Sequence, residues 1–145
     1  MPDECTITGT SNGIPWTYTG GILNGLRHGK GKLVWSNGVV YEGGFIEGKE
    51  NGKGKIIMPN GFVVYEGDFV DGKRTGKGKS IFPDGSAYEG DLVDNDPHGK
   101  GKMTTTDGDV YEGDFVEGIP HGKGKFTSAD GSVVHEGDFV NGNPV

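Results

Sequence analysis

The sequence predicts an all-β protein, built as a single-layer, twisted and curved antiparallel sheet of stacked β-hairpins that is open at its edges. Glycine supplies 30 of the 145 residues, far above the ~7% of an average protein. Tyrosine, glycine and lysine recur with a period of 23 or 24 residues. Short alternating segments lie between Asn-Gly or Asp-Gly turn signals, which is typical of strands, and the frequent glycines argue against helices.

Each repeat begins at an aromatic residue, and positions are counted from it as zero. Position +2 is always Gly, and positions +11 to +14 read Gly-Lys-Gly-Lys in every full repeat. The predicted organisation is a degenerate half repeat or cap at 1–17, full repeats at 18–40, 41–64, 65–87, 88–110 and 111–134, and a half repeat at 135–145.

The first strand of each hairpin is predicted over positions 0 to +5 and the second over +11 to +17. Position +7 is Gly in all units except one, where it is Asn95. Asn is the residue other than Gly that most readily adopts positive φ, so we expect a left-handed backbone at this position. If the loop pairs position +4 with +11, then Gly at +2 faces Gly at +13 and the aromatic residue faces +15.

A second turn joins each hairpin to the next one. A three-residue loop at +18 to +20 keeps the next tyrosine on the same face as +15, which predicts a type I turn closed by a glycine bulge. The segments "MPNG" (58–61) and "FPDG" (82–85) fit this turn. The 24-residue spacing adds one residue near Val63–Val64 and Val133–Val134, most simply as a β-bulge.

Strand alternation then predicts two faces. One face carries the tyrosines, the glycines at +2 and +13 and the large apolar residue at +4, and the missing glycine side chains leave room for rings to lie flat. The other face carries Glu at +1 opposite Lys at +14 and Asp at +3 opposite Lys at +12. We expect these residues to form cross-strand ion pairs, each contributing about 0.2–1 kcal/mol.

The repeat resembles the MORN repeat (membrane occupation and recognition nexus) in stretches such as "YEGDFVDGKRTGKGK" (65–79) and "YEGDFVEGIPHGKGK" (111–125). The resemblance implies a curved single-layer sheet that serves as a scaffold for protein–protein contacts. Some family members were proposed to bind phosphoinositides, and several form homodimers. Thr19 and Gly21 replace the acidic pair in the first repeat, and His135 replaces the tyrosine in the last unit.

Composition and charge narrow the function further. The net charge of −7 argues weakly against nucleic acid or an anionic membrane as the main partner, and we expect no nucleic acid to bind. The only cysteine is Cys5, which excludes an intrachain disulfide and fits a reducing compartment. Residues 1–17 lack the features of a signal peptide. We expect a cytoplasmic protein that could associate with the cytoskeleton or a membrane.

The repeating charges do not predict a chemical site. Gly-Lys-Gly-Lys is not followed by the helix that a phosphate loop needs. The histidines at +10 include His98 and His121, which lie one repeat or roughly 9.6 Å apart, too far to share one zinc ion without refolding of the loops. Since every repeat looks alike, no residue stands out as catalytic. We therefore expect no enzyme, cofactor or metal.

The predicted function is a non-enzymatic scaffold that binds a helix or an extended peptide along an aromatic trough, although these aromatic residues could simply stabilise the sheet. The residues predicted to line the trough are Tyr18, Trp35, Tyr41, Phe45, Met58, Tyr65, Phe69, Phe82, Tyr88, Leu92, Tyr111 and Phe115. A homodimer could form at a terminal edge around His135, Phe139 and Val140, since unpaired strands invite pairing. The alternative is phosphoinositide binding through the lysine columns.

Overall fold

The computed structural model describes residues 4–145, so the first three residues of the predicted cap lie outside the described part. The described residues form one open antiparallel sheet, in which the order of the strands follows the chain. This confirms the predicted all-β class. The thirteen strands are β1 (Glu4–Ser11), β2 (Ile14–Leu23), β3 (Leu26–Trp35), β4 (Val40–Ile46), β5 (Lys49–Ile57), β6 (Val63–Val70), β7 (Lys73–Ile81), β8 (Ala87–Val93), β9 (Asp96–Thr104), β10 (Val110–Val116), β11 (Ile119–Thr127), β12 (Val133–Val140) and β13 (Asn143–Pro144).

The chain divides into two compact units, the first ending at Lys73 and the second running from Arg74 to Val145. In the first unit, β1 to β6 pair successively as antiparallel neighbours. In the second unit, β7 to β13 pair in the same way. Each unit is therefore a meander of hairpins whose contacts are mostly between strands adjacent in sequence.

Two-residue turns close the hairpins. In the second repeat, Glu47 has a φ of 49° and Gly48 a φ of 86°. Positive φ at both central residues is the signature of a type I′ turn, whose twist matches that of the flanking strands. Asn95 has a φ of 78° at the equivalent position of the fourth repeat, which confirms the left-handed backbone expected there.

Three-residue loops join one hairpin to the next, as predicted. Around residues 36–38, the amide of Gly38 donates to the carbonyl oxygen of Trp35 at 2.8 Å, and the amide of Trp35 donates to the carbonyl oxygen of Val39 at 2.9 Å. Gly38 has a φ of 93°. This is the type I turn closed by a left-handed glycine that the sequence predicts.

The extra residues of the longer repeats are taken up as bulges. Ile56 pairs with Tyr65 but Ile57 pairs with Val63, so Val64 is the unpaired residue. In the same way, Phe126 pairs with His135 and Thr127 with Val133. Both predicted bulges are confirmed, and they keep each aromatic residue on the same face although the spacing changes by one.

The register inside a hairpin is partly as predicted. Gly43 pairs with Gly54 and Tyr41 with Ile56, as expected. The predicted pairing of position +4 with +11 is wrong, because Phe45 pairs with Glu50. A bulge between Gly43 and Phe45 shifts the register, and the glycine at +11 pairs instead with position +4 of the following repeat, as Gly52 does with Phe69.

The strand before the first repeat extends the sheet in the first unit. β1 pairs with β2, and Ile7 lies opposite Tyr18. The indole of Trp16 packs over Gly9, where a β-carbon would lie 2.4 Å from the ring. The guanidinium of Arg27 lies 4.8 Å from the centroid of Trp16. Residues 4–17 are thus part of the hairpin array, and their role as a cap stays a prediction.

Candidate protein-interaction surfaces

Aromatic residues form one face of each unit, which we call the aromatic face: it carries the residues at positions 0, +4, +15, +17 and +21. In the first unit, the ring of Phe45 lies edge to face between two tyrosines, 5.1 Å from the centroid of Tyr18 and 5.0 Å from that of Tyr41. In the second unit, Phe115 lies 5.1 Å from Tyr88 and 5.0 Å from Tyr111. Such T-shaped contacts add about 0.5–1.5 kcal/mol beyond the buried area.

Each tyrosine hydroxyl bonds to the backbone three residues further along. Tyr41 donates to the carbonyl oxygen of Gly44 at 2.8 Å, and Tyr88 donates to that of Asp91 at 2.6 Å. The bond ties the ring down over the bulge within the same strand. Burial, together with the charge of Asp91, raises the pKa of Tyr88 to about 12. The pKa of Tyr41 is raised as well, mainly by burial and to a smaller extent by the negative charge of Glu50.

The rings predicted to line an open trough are packed and covered. The glycines at +2 and +13 let the tyrosine rings lie flat on the backbone, and the neighbouring rings close over them. The expectation that these side chains are exposed is therefore wrong, while their part in binding a partner stays a prediction. The buried members, all 5% exposed or less, are Tyr18, Tyr41, Phe45, Tyr65, Phe69, Tyr88, Leu92, Tyr111 and Phe115.

Accessible apolar side chains of the aromatic face collect at the loop end of the first unit. Met58 is 36% exposed and Phe62 is 52% exposed. Their backbones pair across the three-residue loop, where the amide of Met58 donates to the carbonyl oxygen of Phe62 at 2.8 Å. Trp35 and Val39, both half-buried, occupy the equivalent positions one repeat earlier. We call Trp35, Val39, Met58 and Phe62 the loop patch.

The loop patch is confined to the early repeats. The two loops of the first unit contact one another, because a β-carbon on Gly38 would lie 3.0 Å from Pro59. In the second unit, Phe82 is half-buried, and the later equivalents of the patch are Thr105, Asp109, Ser128 and Ser132. The sequence predicted Trp35 and Met58 as binding residues but not Phe62. Phe62 could have been found from its position, because the predicted three-residue loop places it opposite Met58.

The opposite side, which we call the charged face, carries the acids at +1 and +3 and the lysines at +12 and +14. The ammonium of Lys53 lies 2.5 Å from Asp68, and that of Lys123 lies 2.5 Å from Asp138. Each of these pairs joins a lysine at +12 to the aspartate of the following repeat. The expected pairing of Asp at +3 with Lys at +12 inside one hairpin is therefore wrong, because the bulge removes the aspartate from direct opposition to its own lysine, whereas Glu at +1 lies opposite Lys at +14 as expected.

Two aspartates of the charged face in the second unit have additional donors. Asp91 accepts from the ammonium of Lys77 and, at 3.1 Å, from the backbone amide of Lys100. Asp114 accepts from the ammonium of Lys100 and, at 3.0 Å, from the amide of Lys123. These hydrogen bonds, with the ammonium bond the largest cause, hold the pKa of both carboxyl groups below the usual range.

A row of exposed aliphatic residues follows the hairpin tips at position +5. Ile46 is 52% exposed in the first unit, and Val93 is 46% exposed in the second. The row is present in every repeat, unlike the loop patch. Its members are Leu23, Ile46 and Val70 in the first unit and Val93, Val116 and Val140 in the second.

The histidines at +10 act as hydrogen-bond acceptors for the neighbouring hairpin. Nδ1 of His98 accepts from the amide of Glu117 at 3.2 Å, and Nδ1 of His121 accepts from the amide of Asn141 at 3.2 Å. Within residues 4–145, histidine, cysteine and carboxylate side chains form no cluster that could hold a metal ion. The histidines thus fasten one turn to the next.

The residues predicted at a dimer edge are only partly accessible. Phe139 is 3% exposed, whereas Val140 is 44% exposed. His135 is half-buried, and its ring lies 5.1 Å from that of Phe139. In the described chain, β13 pairs only with Phe139 and Val140 of β12. The amide of Val145 also donates to the carbonyl oxygen of Asp138 at 3.0 Å, so only the part of β12 before Asp138 presents an edge to that side.

Comparison with known proteins identifies the repeat. The family described as MORN repeat matches residues 18–40, 41–63, 65–87, 88–110 and 111–133. A search of curated proteins finds no match. The described residues contain no helix long and apolar enough to cross a membrane. MORN repeats are generally scaffolds for interactions with proteins or membranes, and this family is not known for enzymatic activity. With five consecutive repeats that cover most of its length, this chain belongs to the MORN-repeat family.

Proposed function

We propose that the chain is a scaffold that binds a helix or an extended peptide of a partner protein on the aromatic face, and that the loop patch is the anchor. The exposure of Met58 and Phe62 carries this proposal, since both are large apolar side chains at a solvent-facing loop. Aromatic residues and methionine are enriched at the centres of protein interfaces. A partner side chain placed between these two residues would remove apolar surface of both from water.

The buried rings support this surface from below. Tyr41 and Phe45 are 3% and 2% exposed, and each is fixed by a ring contact. A rigid platform reduces the conformational entropy that binding must remove. We therefore assign the columns of tyrosine and phenylalanine a supporting role and the loop patch the direct contact.

Replacement of Met58 and Phe62 by serine tests the anchor. Both side chains are exposed, so we expect the double variant to keep its melting temperature within a few degrees. Affinity capture from the native extract, followed by mass spectrometry, should then lose the partners that the unmodified chain retains. A matched control is the replacement of Val93 and Val116 by serine, which removes two exposed aliphatic residues elsewhere.

The result of this capture experiment distinguishes the loop patch from the aliphatic row at position +5. Loss of partners with the Met58 and Phe62 variant alone supports the proposal. An unchanged set of partners, in a variant that circular dichroism shows to be folded, would sink it. Loss with the control variant alone would move the contact to the row at position +5.

A second candidate is homodimerisation through β12 around His135, Phe139 and Val140. The free edge of β12 before Asp138 favours it, because the chain that follows bonds only to Asp138, Phe139 and Val140. Val140 adds an exposed aliphatic side chain. Light scattering at a protein concentration of about 100 μM measures the mass, and a monomer there would count decisively against the dimer.

The alternative of phosphoinositide binding depends on the lysine columns. The side chain of Lys53 is 81% exposed, which would let it reach a membrane surface, but its ammonium already contacts Asp68. Flotation with phosphoinositide vesicles measures this interaction, which should disappear at high salt if the lysines carry it. Flotation that withstands high salt, or no flotation, would speak against these lysines.

A further inference from the structure

The second repeat lacks the aspartate that the fourth and fifth repeats carry at position +3. In those repeats the aspartate accepts hydrogen bonds from a lysine ammonium and from a backbone amide. In the fourth repeat, Asp91 accepts from the Lys77 ammonium of the preceding repeat and from the backbone amide of Lys100 in its own repeat. The fifth repeat has the same arrangement around Asp114. One carboxylate group thus bridges an ammonium and an amide at this position.

Gly44 stands at this position in the second repeat, while the donors are retained. Lys30 lies opposite Gly44 in the register of β3 and β4, as Lys77 lies opposite Asp91. Lys53 occupies the place of Lys100 in the repeat. Among residues 4–145, no carboxylate lies within ion-pairing distance of the Lys30 ammonium. An ammonium group without its usual partner therefore faces this part of the sheet.

The space that the carboxylate fills elsewhere is open in the second repeat. A β-carbon on Gly99 would lie 2.9 Å from Oδ2 of Asp91, and one on Gly122 would lie 2.7 Å from Oδ2 of Asp114. A β-carbon on Gly52, the equivalent glycine of the second repeat, would meet no atom within 4 Å. The aspartate side chain fills this volume in the fourth and fifth repeats, and in the second repeat the same volume could hold an external carboxylate.

A surface recess of about 500 Å³ surrounds this volume, and its charge is uneven. It is lined by Lys30, Lys53 and Lys55 together with Glu42, Asn51 and Gly52. The comparable recess of the fourth repeat, about 400 Å³, has two lysines and two glutamates, Lys100, Lys102, Glu89 and Glu112. Lys53 and Lys55 have partners in Asp68 and Glu66, at 2.5 and 3.8 Å. Lys30 has no such partner, since Glu42, the carboxylate of this lining, lies opposite Lys32 and Lys55 in the register and Lys30 lies opposite Gly44.

The first repeat shows that a missing aspartate alone is not sufficient. Gly21 also replaces the acid there, and a β-carbon on Gly29 would meet no atom within 4 Å. The residue opposite Gly21 in register is Glu4, not a lysine. An open space without an ammonium donor would not attract an anion, so the second repeat alone combines both features in the described chain.

We propose that the second repeat holds a binding site for one carboxylate group, which accepts from the Lys30 ammonium and the backbone amide of Lys53. The carboxylate comes from an acidic side chain of another protein or from a small organic acid. Charge-assisted hydrogen bonds of this kind are about twice as strong as neutral ones. The site lies on the charged face and does not depend on the loop patch of the aromatic face.

NMR titration of the full ¹⁵N-labelled chain with sodium acetate tests the proposal, against sodium chloride at the same ionic strength and pH. We expect the amide signals of Gly52 and Lys53 to shift along a saturating curve with acetate, while those of Lys100 and Lys123 stay in place. Equal shifts with chloride, or shifts at Lys100 as large as those at Lys53, would overturn the proposal.

Two variants locate the site. Lys30→Met should weaken acetate binding roughly tenfold, the loss of one charge-assisted hydrogen bond, and Lys100→Met should leave it unchanged. Gly44→Asp supplies the carboxylate from the chain itself and should abolish binding. Its β-carbon would lie 2.3 Å from the carbonyl oxygen of Asn51, so the bulge must adjust, and the spectrum checks that the variant is folded. Unweakened binding by Lys30→Met would exclude the site.

Further titrations distinguish the sources. The first ligand is an aspartate whose α-amino and α-carboxyl groups are blocked, and the second is succinate. If the blocked aspartate binds more tightly than succinate, the natural ligand is an acidic side chain of a protein. The reverse order indicates a small organic acid, and either result supports the site. Saturation by inorganic phosphate at lower concentration than by every carboxylate would overturn the assignment of the ligand as a carboxylate.

Discussion

The ring of Tyr88 lies against Gly101 so closely that a β-carbon on this glycine would be 2.1 Å from the tyrosine hydroxyl oxygen. The pair repeats as Tyr41 with Gly54, where the distance would be 2.5 Å. A single sheet layer can bury its rings in this way because the backbone itself forms the floor beneath each ring. The aromatic face is therefore the core of the protein as well as a surface of it.

Gly101→Ala should destabilise the protein by about 1–3 kcal/mol, the usual cost of forcing an extra carbon into a packed site. Chemical denaturation followed by circular dichroism measures the change. Gly52→Ala is the matched control, since a β-carbon there meets open space and only the φ of 83° is unfavourable. A cost for Gly101→Ala no larger than that for Gly52→Ala would contradict the close packing of the ring.

Alkali should unfold the protein as its tyrosines ionise. The pKa of Tyr88 is raised to about 12 in the folded chain, whereas that of an exposed tyrosine is about 10. A raised folded pKa gives stability that is complete below pH 10 and is lost as the pH rises toward 12. Tyrosinate absorbance and circular dichroism should therefore change together in this range. Ionisation near pH 10 without unfolding would contradict the buried hydroxyl groups.

Asp91→Asn should reduce the dependence of stability on acid. The hydrogen bonds from Lys77 and Lys100 lower the pKa of Asp91 in the folded chain. A lowered folded pKa gives stability that is present above the unfolded pKa, about 3.9, and is lost as the pH falls through the folded pKa. Denaturation at several pH values should show a smaller acid-dependent loss in the variant. Asp94→Asn, at an exposed turn, is the control and should show the same dependence of stability on pH as the unmodified protein. If the unmodified protein, Asp91→Asn and Asp94→Asn all show the same dependence, the prediction is contradicted.

His98→Ala should cost about 0.5–1 kcal/mol, because the amide of Glu117 loses its acceptor. His98→Asn should restore most of the loss, since Asn51 occupies the equivalent position and its Oδ1 accepts from the amide of Asp71 at 3.3 Å. Thermal melting compares the two variants. Equal melting temperatures for alanine and asparagine would show that the hydrogen bond between the hairpins contributes nothing.

The local features followed from the sequence because they depend on residues close together in the chain. Asn95 at a left-handed position, the three-residue loop ending at Gly38 and the extra residue at Val64 are each decided by local backbone chemistry. The pairing of Gly43 with Gly54 and of Tyr41 with Ile56 was also predicted correctly, although the assumed pairing of position +4 with +11 was wrong. The turn residues recur in each full repeat, which strengthened the prediction.

Only the tertiary structure decided how each strand divides its pairing between two neighbours. Phe45 pairs with Glu50 because a bulge lets the hairpin close with a tight turn, which leaves Gly52 for Phe69 of the next repeat. That same shift directs the Lys53 ammonium to Asp68 and leaves Lys30 opposite Gly44. A sequence pattern predicts which face of the sheet a residue occupies. The partner of that residue depends on how the backbone groups of its strand are shared between the two neighbouring strands, and only the folded sheet decides this.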